Sequence, residues 1–330
     1  MPAMPQMRER VLASLVAIPF LLGAAAAPSD KAQVVFSFQD NDIVESSGLA
    51  VVRGRVVTTN DSGDTGRVFT VNPETGETVG TTGWGNDPVD VEALAPLGDD
   101  EVWVGDIGDN TESRDTVRVS PVPVGTGNVD IDAPIYDLVY PDGPHDAETL
   151  MSDPGTGRLY IATKGVLGGT LYAAPAKLTS DHPNELKPLG DVLPIATDGT
   201  FLPDGKHLVI RNYGVAAVYA FPSLERVEQF QLPNQQQGEG IAVDTDGSLL
   251  LSSEGLHAKV LRVALPASSP SPSPSASPSA GASPSTHTES REDTELPEAT
   301  ETDRPAWPWF LGGLTAMACL AVLVRSLRRR

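Results

Sequence analysis

A unit recurs five times between about residues 45 and 254, and no other feature limits the fold as tightly. Each copy opens on an acidic or small polar residue followed by a short apolar run: Ser47-Gly48-Leu49-Ala50, Glu92-Ala93-Leu94-Ala95, Glu148-Thr149-Leu150-Met151, Asp198-Gly199-Thr200-Phe201 and Glu239-Gly240-Ile241-Ala242. After a polar turn and a second apolar run, another polar set closes the pair: Asn60-Asp61, Asp106, Lys164, Arg211-Asn212 and Ser253-Glu254. The openings lie 45, 56, 50 and 41 residues apart. A period near 45 with about four short strands per unit is the pattern of radially repeated blades, a β-propeller. The expected fold is all-β and five-bladed, with six blades as the alternative.

The strand pattern agrees. The first unit reads as Leu49–Val52, Arg55–Thr59, Val68–Val71 and Thr78–Thr82. Gly, Pro, Asn and Asp punctuate the turns, as in Asp153-Pro154-Gly155-Thr156-Gly157, because they tolerate tight or positive-φ geometry. The last unit offers only about three strands, whereas Val34–Phe38 is a spare strand before the first unit. That strand is expected to complete the last blade and remove a sheet edge.

The flanks predict an exported, anchored domain. Arg8 and Arg10, the apolar run Val11–Leu22 and the small residues Ala24–Ala27 read as a signal peptide over residues 1–26. The propeller is expected over 34–265. Residues 266–305 read as a stalk, first rich in Ser and Pro and then acidic, with a composition that cannot bury a core. Residues 306–324 contain Trp307–Val324, 18 mostly apolar positions without charge, and read as a C-terminal transmembrane helix of about 27 Å. Arg325, Arg328, Arg329 and Arg330 make 325–330 a basic cytoplasmic tail. The expected location is the cell membrane, single-pass type I, with the propeller outside. Leu296-Pro297-Glu298-Ala299-Thr300 resembles a sortase signal but has Ala and Thr where that pattern has Thr and Gly, so wall attachment is the lesser alternative. The only cysteine, Cys319, lies in the apolar segment, so no disulfide is expected in the exported part.

Residues 34–265 carry 35 Asp and Glu against 14 Lys and Arg, a balance of −21. Such a surface repels nucleic-acid phosphates and anionic headgroups, so no nucleic-acid partner is expected. A soluble exterior explains the same charge without any partner.

Equivalent positions of a propeller converge on its axis. That geometry gathers Glu92, Glu148, Asp198 and Glu239 into a ring, with Asn60, Asp106, Lys164, Asn212 and Glu254 as a neighbouring layer. Like charges so placed need a cation, raised pKa values, or counter-charges such as Lys164 and Arg211. Oxygen-only ligands suit Ca2+ or Mg2+. The histidines at 145, 182, 207, 257 and 287 are scattered, so zinc is not expected, and there is no nucleotide-binding signature. A second reading stands beside this one: acids at strand starts also cap turns and accept backbone N–H bonds. Asp61-Ser62-Gly63-Asp64 and Asp106-Ile107-Gly108-Asp109-Asn110 admit either turn chemistry or surface calcium loops.

The motifs Glu45-Ser46-Ser47-Gly48-Leu49, Asn60-Asp61-Ser62-Gly63, Asp90-Val91-Glu92-Ala93-Leu94, Gly105-Asp106-Ile107-Gly108-Asp109-Asn110, His145-Asp146-Ala147-Glu148 and Gly238-Glu239-Gly240-Ile241 resemble secreted actinobacterial propellers. These sit near the SMP-30-like, phytase-like and SdiA-regulated groups. The resemblance covers roughly residues 40–263. It implies acidic and amide residues around the axis and, by position, a metal held by Glu92, Glu148, Asn212 and Glu239. In SMP-30-like enzymes such a cation supports lactone or ester hydrolysis. Three functions follow: a binding module for a ligand or envelope partner, a divalent-metal-dependent hydrolase of lactonase or phosphoesterase type, or a structural envelope protein. No nucleophile elbow or phosphate loop is present, which favours binding. The chain is expected to be monomeric.

Overall fold

The computed structural model describes residues 32–61, 63–85 and 87–266. The sequence expectations for residues 1–26, for the stalk beyond residue 266, and for 306–330 lie outside them. Among the described residues there is no helix, and so none long and apolar enough to cross a membrane.

Five sheets form the blades, each with a core of four antiparallel strands. Gln33–Ser37 (β1) comes first in the chain and is considered last. Blade one stacks Ser46–Val52 (β2), Arg55–Asn60 (β3), Arg67–Val71 (β4) and Thr78–Gly83 (β5) outward from the axis. Blade two uses Val91–Leu97 (β6), Glu101–Asp106 (β7), Val117–Pro123 (β8) and Tyr136–Val139 (β10). Blade three uses Ala147–Ser152 (β11), Leu159–Thr163 (β12), Gly169–Ala173 (β13) and Lys187–Val192 (β15). Blade four uses Asp198–Phe201 (β16), His207–Arg211 (β17), Val215–Ala220 (β18) and Arg226–Gln231 (β19). Blade five uses Ile241–Val243 (β20), Leu249–Leu251 (β21) and Lys259–Val263 (β22). Strand β1 pairs antiparallel with β22 and completes that last sheet, which closes the ring as the spare strand predicts.

Two strands go beyond the sequence expectation. Gly127–Asp130 (β9) adds to β5 in parallel, and Asn184–Glu185 (β14) adds to β10 in parallel. Both extend outer edges.

The inner strands β2, β6, β11, β16 and β20 touch one another in a closed cycle. Apolar side chains fill each seam between neighbouring blades. Val57, Leu94 and Val104 lie between blades one and two, and Leu138, Leu150 and Ile161 between two and three. Leu171, Phe201 and Ile210 lie between three and four, Val209, Ile241 and Leu251 between four and five, and Phe38, Leu49 and Phe69 between five and one. The inner strands are crowded. A Cβ on Gly48 would sit 2.6 Å from the Leu94 backbone nitrogen, so glycine follows the opening residue there because the next blade leaves no room.

Strand register fixes which residues share a face. Ser46 lies opposite Asn60, Ala147 opposite Thr163, and Ile241 opposite Leu251. The start of each inner strand therefore lies at the same end as the loop that follows the second strand. All five loops of that kind, with the segments leading into the inner strands, form one face of the ring.

Candidate functional site at the hub

Glu92, Glu148, Asp198 and Glu239 are all buried at the start of, or just before, their inner strands. The structure divides their work. Asp198 is fully buried and accepts hydrogen bonds from the Gly199 nitrogen (2.8 Å) and the Ile241 nitrogen (2.8 Å). It ties blade four to blade five. Burial pushes its carboxyl well above the usual range.

Glu92 accepts a 3.0 Å hydrogen bond from Ser47 Oγ, which also donates to the Glu92 carbonyl at 2.8 Å. One oxygen each from Asp61, Asp90 and Glu92 lie within 4.8 Å of one another. Asp61 follows the end of β3 and Asp90 precedes β6, so the trio straddles blades one and two. Burial pushes the Glu92 carboxyl up to about 11, and the charges of Glu148, Asp61 and Asp90 add to that rise. Lys164 opposes it.

On blade three, Lys164 Nζ is paired with Glu148 Oε1. The second oxygen, Glu148 Oε2, is buried without a hydrogen-bond partner. Burial and the charge of Glu239 hold the Glu148 carboxyl well above its ordinary value despite the ammonium. Lys164 Nζ also lies 5.8 Å from the centre of the Tyr213 ring. Tyr213 hydrogen-bonds to Glu239, whose carboxyl is likewise raised by burial, with Asp61 among the charges acting on it. Glu254, held by a 2.7 Å hydrogen bond from Gln237 Nε2, is raised to about 7 by burial and by Glu239, Asp61 and Glu45. One electrostatic network thus joins Asp61, Asp90, Glu92, Glu148, Lys164, Tyr213, Glu239 and Glu254.

The other residues singled out by their repeat position are engaged by backbone. Asn60 Oδ1 accepts from the Val44 and Glu45 nitrogens (3.1 and 3.2 Å), and its Nδ2 donates to the Asp42 carbonyl and to Asp64, both at 2.7 Å. Asp106 accepts from the Val89 and Asp90 nitrogens (3.2 and 2.9 Å) and pairs with Arg114 at 2.8 Å. Asn212 Oδ1 accepts from the Gly214 and Val215 nitrogens, and its Nδ2 donates to the Pro194 carbonyl. Asn60 and Asp106 perform one task at equivalent places, fastening the chain that enters their blade's inner strand to the end of the second strand, whereas Asn212, one residue past β17, caps the turn into β18 and reaches the incoming chain only at Pro194. Asp106 in doing so fixes the backbone that carries Asp90.

Arg211 is fully buried. It donates to the Gly240 carbonyl (3.1 Å) and to Gln235 Oε1 (3.3 Å), and burial lowers its guanidinium to about 10. It lies among backbone carbonyls beneath Glu239 and Asp198, whose charges favour its protonated form.

Asp90 and Tyr213 belong to the network but not to the set picked out by repeat position, whereas Asp61 shares the closing polar set of its unit with Asn60. Asp61 stands one residue after Asn60, and Asp90 stands two before Glu92. The alternation Asp90-Val91-Glu92 is the signal that both acids lie to one side of an extended segment.

Neither a protein-family model nor a curated protein matches the chain. Solved structures do. The glutaminyl cyclase of Myxococcus xanthus is 12% identical over 70% of this chain and 94% of that one, with a TM-score of 0.46. A luciferin-regenerating enzyme is 11% identical over 73% and 96%, with a TM-score of 0.47. The PQQ-bound aldose sugar dehydrogenase of Streptomyces coelicolor is 12% identical over 72% and 99%, with a TM-score of 0.41.

Proposed function

We propose that the hub binds a hard divalent cation, Ca2+ or Mg2+, and that the loaded hub is the recognition site of a ligand-binding module. The observation that carries this is the convergence of Asp61, Asp90 and Glu92 within 4.8 Å beside the partnerless, buried Glu148 Oε2. Oxygens so spaced match the shell of an ion bound at about 2.3–2.6 Å, and all-carboxylate donors select hard cations. Two positive charges there would also lower the cost of ionising Glu92 and Glu148 at neutral pH. The ligand set inferred from resemblance, Glu92, Glu148, Asn212 and Glu239, shares Glu92 with this trio. The trio is preferred because its oxygens lie close together, whereas both polar atoms of Asn212 are engaged by backbone.

The test is calorimetric titration of the full chain with calcium chloride and magnesium chloride. One ion per chain is expected, with affinity weaker by about tenfold or more in Asp90→Asn and Glu92→Gln. Absence of heat and of any effect of these substitutions would leave the structural-envelope reading.

A second reading, a divalent-metal-dependent hydrolase, is favoured by one observation. Lys164, Glu148 and Tyr213 gather beside the same acids, with Lys164 paired to Glu148 and its ammonium 5.8 Å from the centre of the Tyr213 ring. An ester, lactone and phosphoester panel on the metal-loaded chain separates the two readings. Turnover that is lost in Lys164→Met would favour the enzyme.

In this proposal the domain stands outside the cell on its stalk, held in the membrane by residues 306–324. Protease accessibility of the propeller in intact cells tests that placement.

A further inference from the structure

Nine large aliphatic side chains are exposed among the described residues, and their positions are not random. Val34, Val129, Leu189 and Val227 lie on the outermost strands β1, β9, β15 and β19, where a sheet edge meets water. The other five, Val44, Val89, Val166, Leu167 and Leu256, lie on loops of the one face that carries the acidic hub. They come from blades one, two, three and five. The Val44 carbonyl accepts from the Gly255 nitrogen at 2.8 Å, so the Val44 and Leu256 loops adjoin.

The loop Lys164-Gly165-Val166-Leu167-Gly168 is the most telling. Gly168 N donates to the Gly165 carbonyl at 3.3 Å, closing a four-residue turn. Its stem is pinned by Lys164 N to the Asp146 carbonyl (2.9 Å) and by Ile195 N to the Gly165 carbonyl (3.0 Å). A Cβ on Gly165 would lie 2.2 Å from the Gly168 oxygen, so glycine is required there by the tightness of the turn. The two central positions of such a turn ordinarily hold Gly, Asn, Asp, Ser or Pro. Here they hold Val166 and Leu167, which are 76% and 101% exposed. A local rule broken without any structural gain points to function. The same loop carries Lys164 at its base, whose ammonium enters the hub. A rigid turn therefore offers a cation at one end and two aliphatic side chains at the other.

We propose that the ligand of the hub is an amphiphile: a carboxylate-headed molecule whose head is held by the bound cation and Lys164, and whose unbranched aliphatic arm lies on Val166 and Leu167. This rests on the cation reading of the hub. The balance of −21 on the domain opposes docking to an anionic bilayer, which favours a free amphiphile over a membrane surface.

The experiment titrates the purified full chain first with calcium chloride, then, calcium-loaded, with butanoate, hexanoate and octanoate. Affinity is expected to rise about twofold per methylene, half the effect of full burial. In the double variant Val166→Ser, Leu167→Ser that slope should flatten while calcium affinity stays unchanged. Calcium binding without a chain-length slope, or a slope that survives in the double variant, overturns the amphiphile and leaves the cation reading standing. A slope without calcium binding overturns the cation reading, and with it the assignment of the head. Leu167-dependent binding to anionic vesicles without binding of free alkanoates overturns the proposal in favour of a membrane surface.

Discussion

At the scale of single residues, the opening acids of the repeat are one sequence feature with two physical uses. Asp198 and Glu92 hold the same position in the sequence repeat, yet Asp198 pairs regularly with Arg211 and satisfies two backbone nitrogens, whereas Glu92 sits at a register shift and faces other carboxylates. A repeat shows where a side chain falls relative to the axis. It does not show which neighbour the side chain meets, because that depends on the adjoining blade. Asn60, Asp106 and Asn212 were legible as residues near the axis for the same reason, but their backbone partners were not. Asp90 lies beside the repeating positions instead of on them, so periodicity passes over it, whereas Asp61 falls in the polar pair Asn60-Asp61 that closes the first unit. The division is testable. Asp198→Ala orphans two buried N–H groups and should cost about 1–3 kcal/mol for each, read as a lowered midpoint in urea, with calcium affinity unaltered. Equal loss of calcium binding would place Asp198 in the site instead.

At the scale of elements, the strands were legible because their physics is local. Short apolar runs between turns that carry Gly, Asn or Asp mark strands buried on both faces, as β3, β7, β17 and β18 are. Strands β9 and β14 were not legible. Gly-Asn-Val-Asp in β9 is exposed throughout, so no burial pattern marks it, and β14 is two residues long. Each exists because a parallel neighbour offers free backbone groups, a tertiary cause without a sequence signature. Closure by β1 was legible from a shortage, three strands at one end and a spare one at the other. It brings Phe36 and Phe38 into an edge-to-face pair at 5.6 Å within the seam between blades five and one. Phe38, completely buried, is the better probe of that closure. Phe38→Ala should cost about 3–5 kcal/mol in urea unfolding of the full chain, whereas an exposed substitution on β1 just before it, Val34→Ser, should cost less than about 0.5 kcal/mol. Equal small effects would mean that the ring does not depend on its N-terminal strand.

At the scale of the whole molecule, a closed ring forces like charges together, and that concentration underlies the proposed function. Asp64, Asp109, Asp142 and Asp204 are held below the ordinary carboxylate range by hydrogen bonds that outweigh burial, with a guanidinium adding to the effect at Asp64 and Asp109. The stability they contribute is lost as pH falls through their folded pKa values, and it is complete by about pH 5. The hub acids act in the opposite sense. Glu254 is raised to about 7 and Glu92 to about 11, so the folded chain holds protons there that the unfolded chain releases near pH 4 to 5. The stabilisation tied to those protons is full below the unfolded values. It is lost as pH rises through about 7 and onward toward 11. Glu254→Gln should remove the part of that loss that falls between about pH 4.5 and 7.

A cation in the hub would take the place of those protons. The most direct test is therefore the melting temperature of the full chain between pH 5 and 9, measured in EDTA and again in excess calcium. A fall with rising pH in EDTA is predicted, with a Tm gain from calcium that widens toward pH 9 and disappears in Asp61→Asn combined with Asp90→Asn. Two parallel curves, or a calcium effect that survives the double substitution, would contradict a cation held by the carboxylates of the hub.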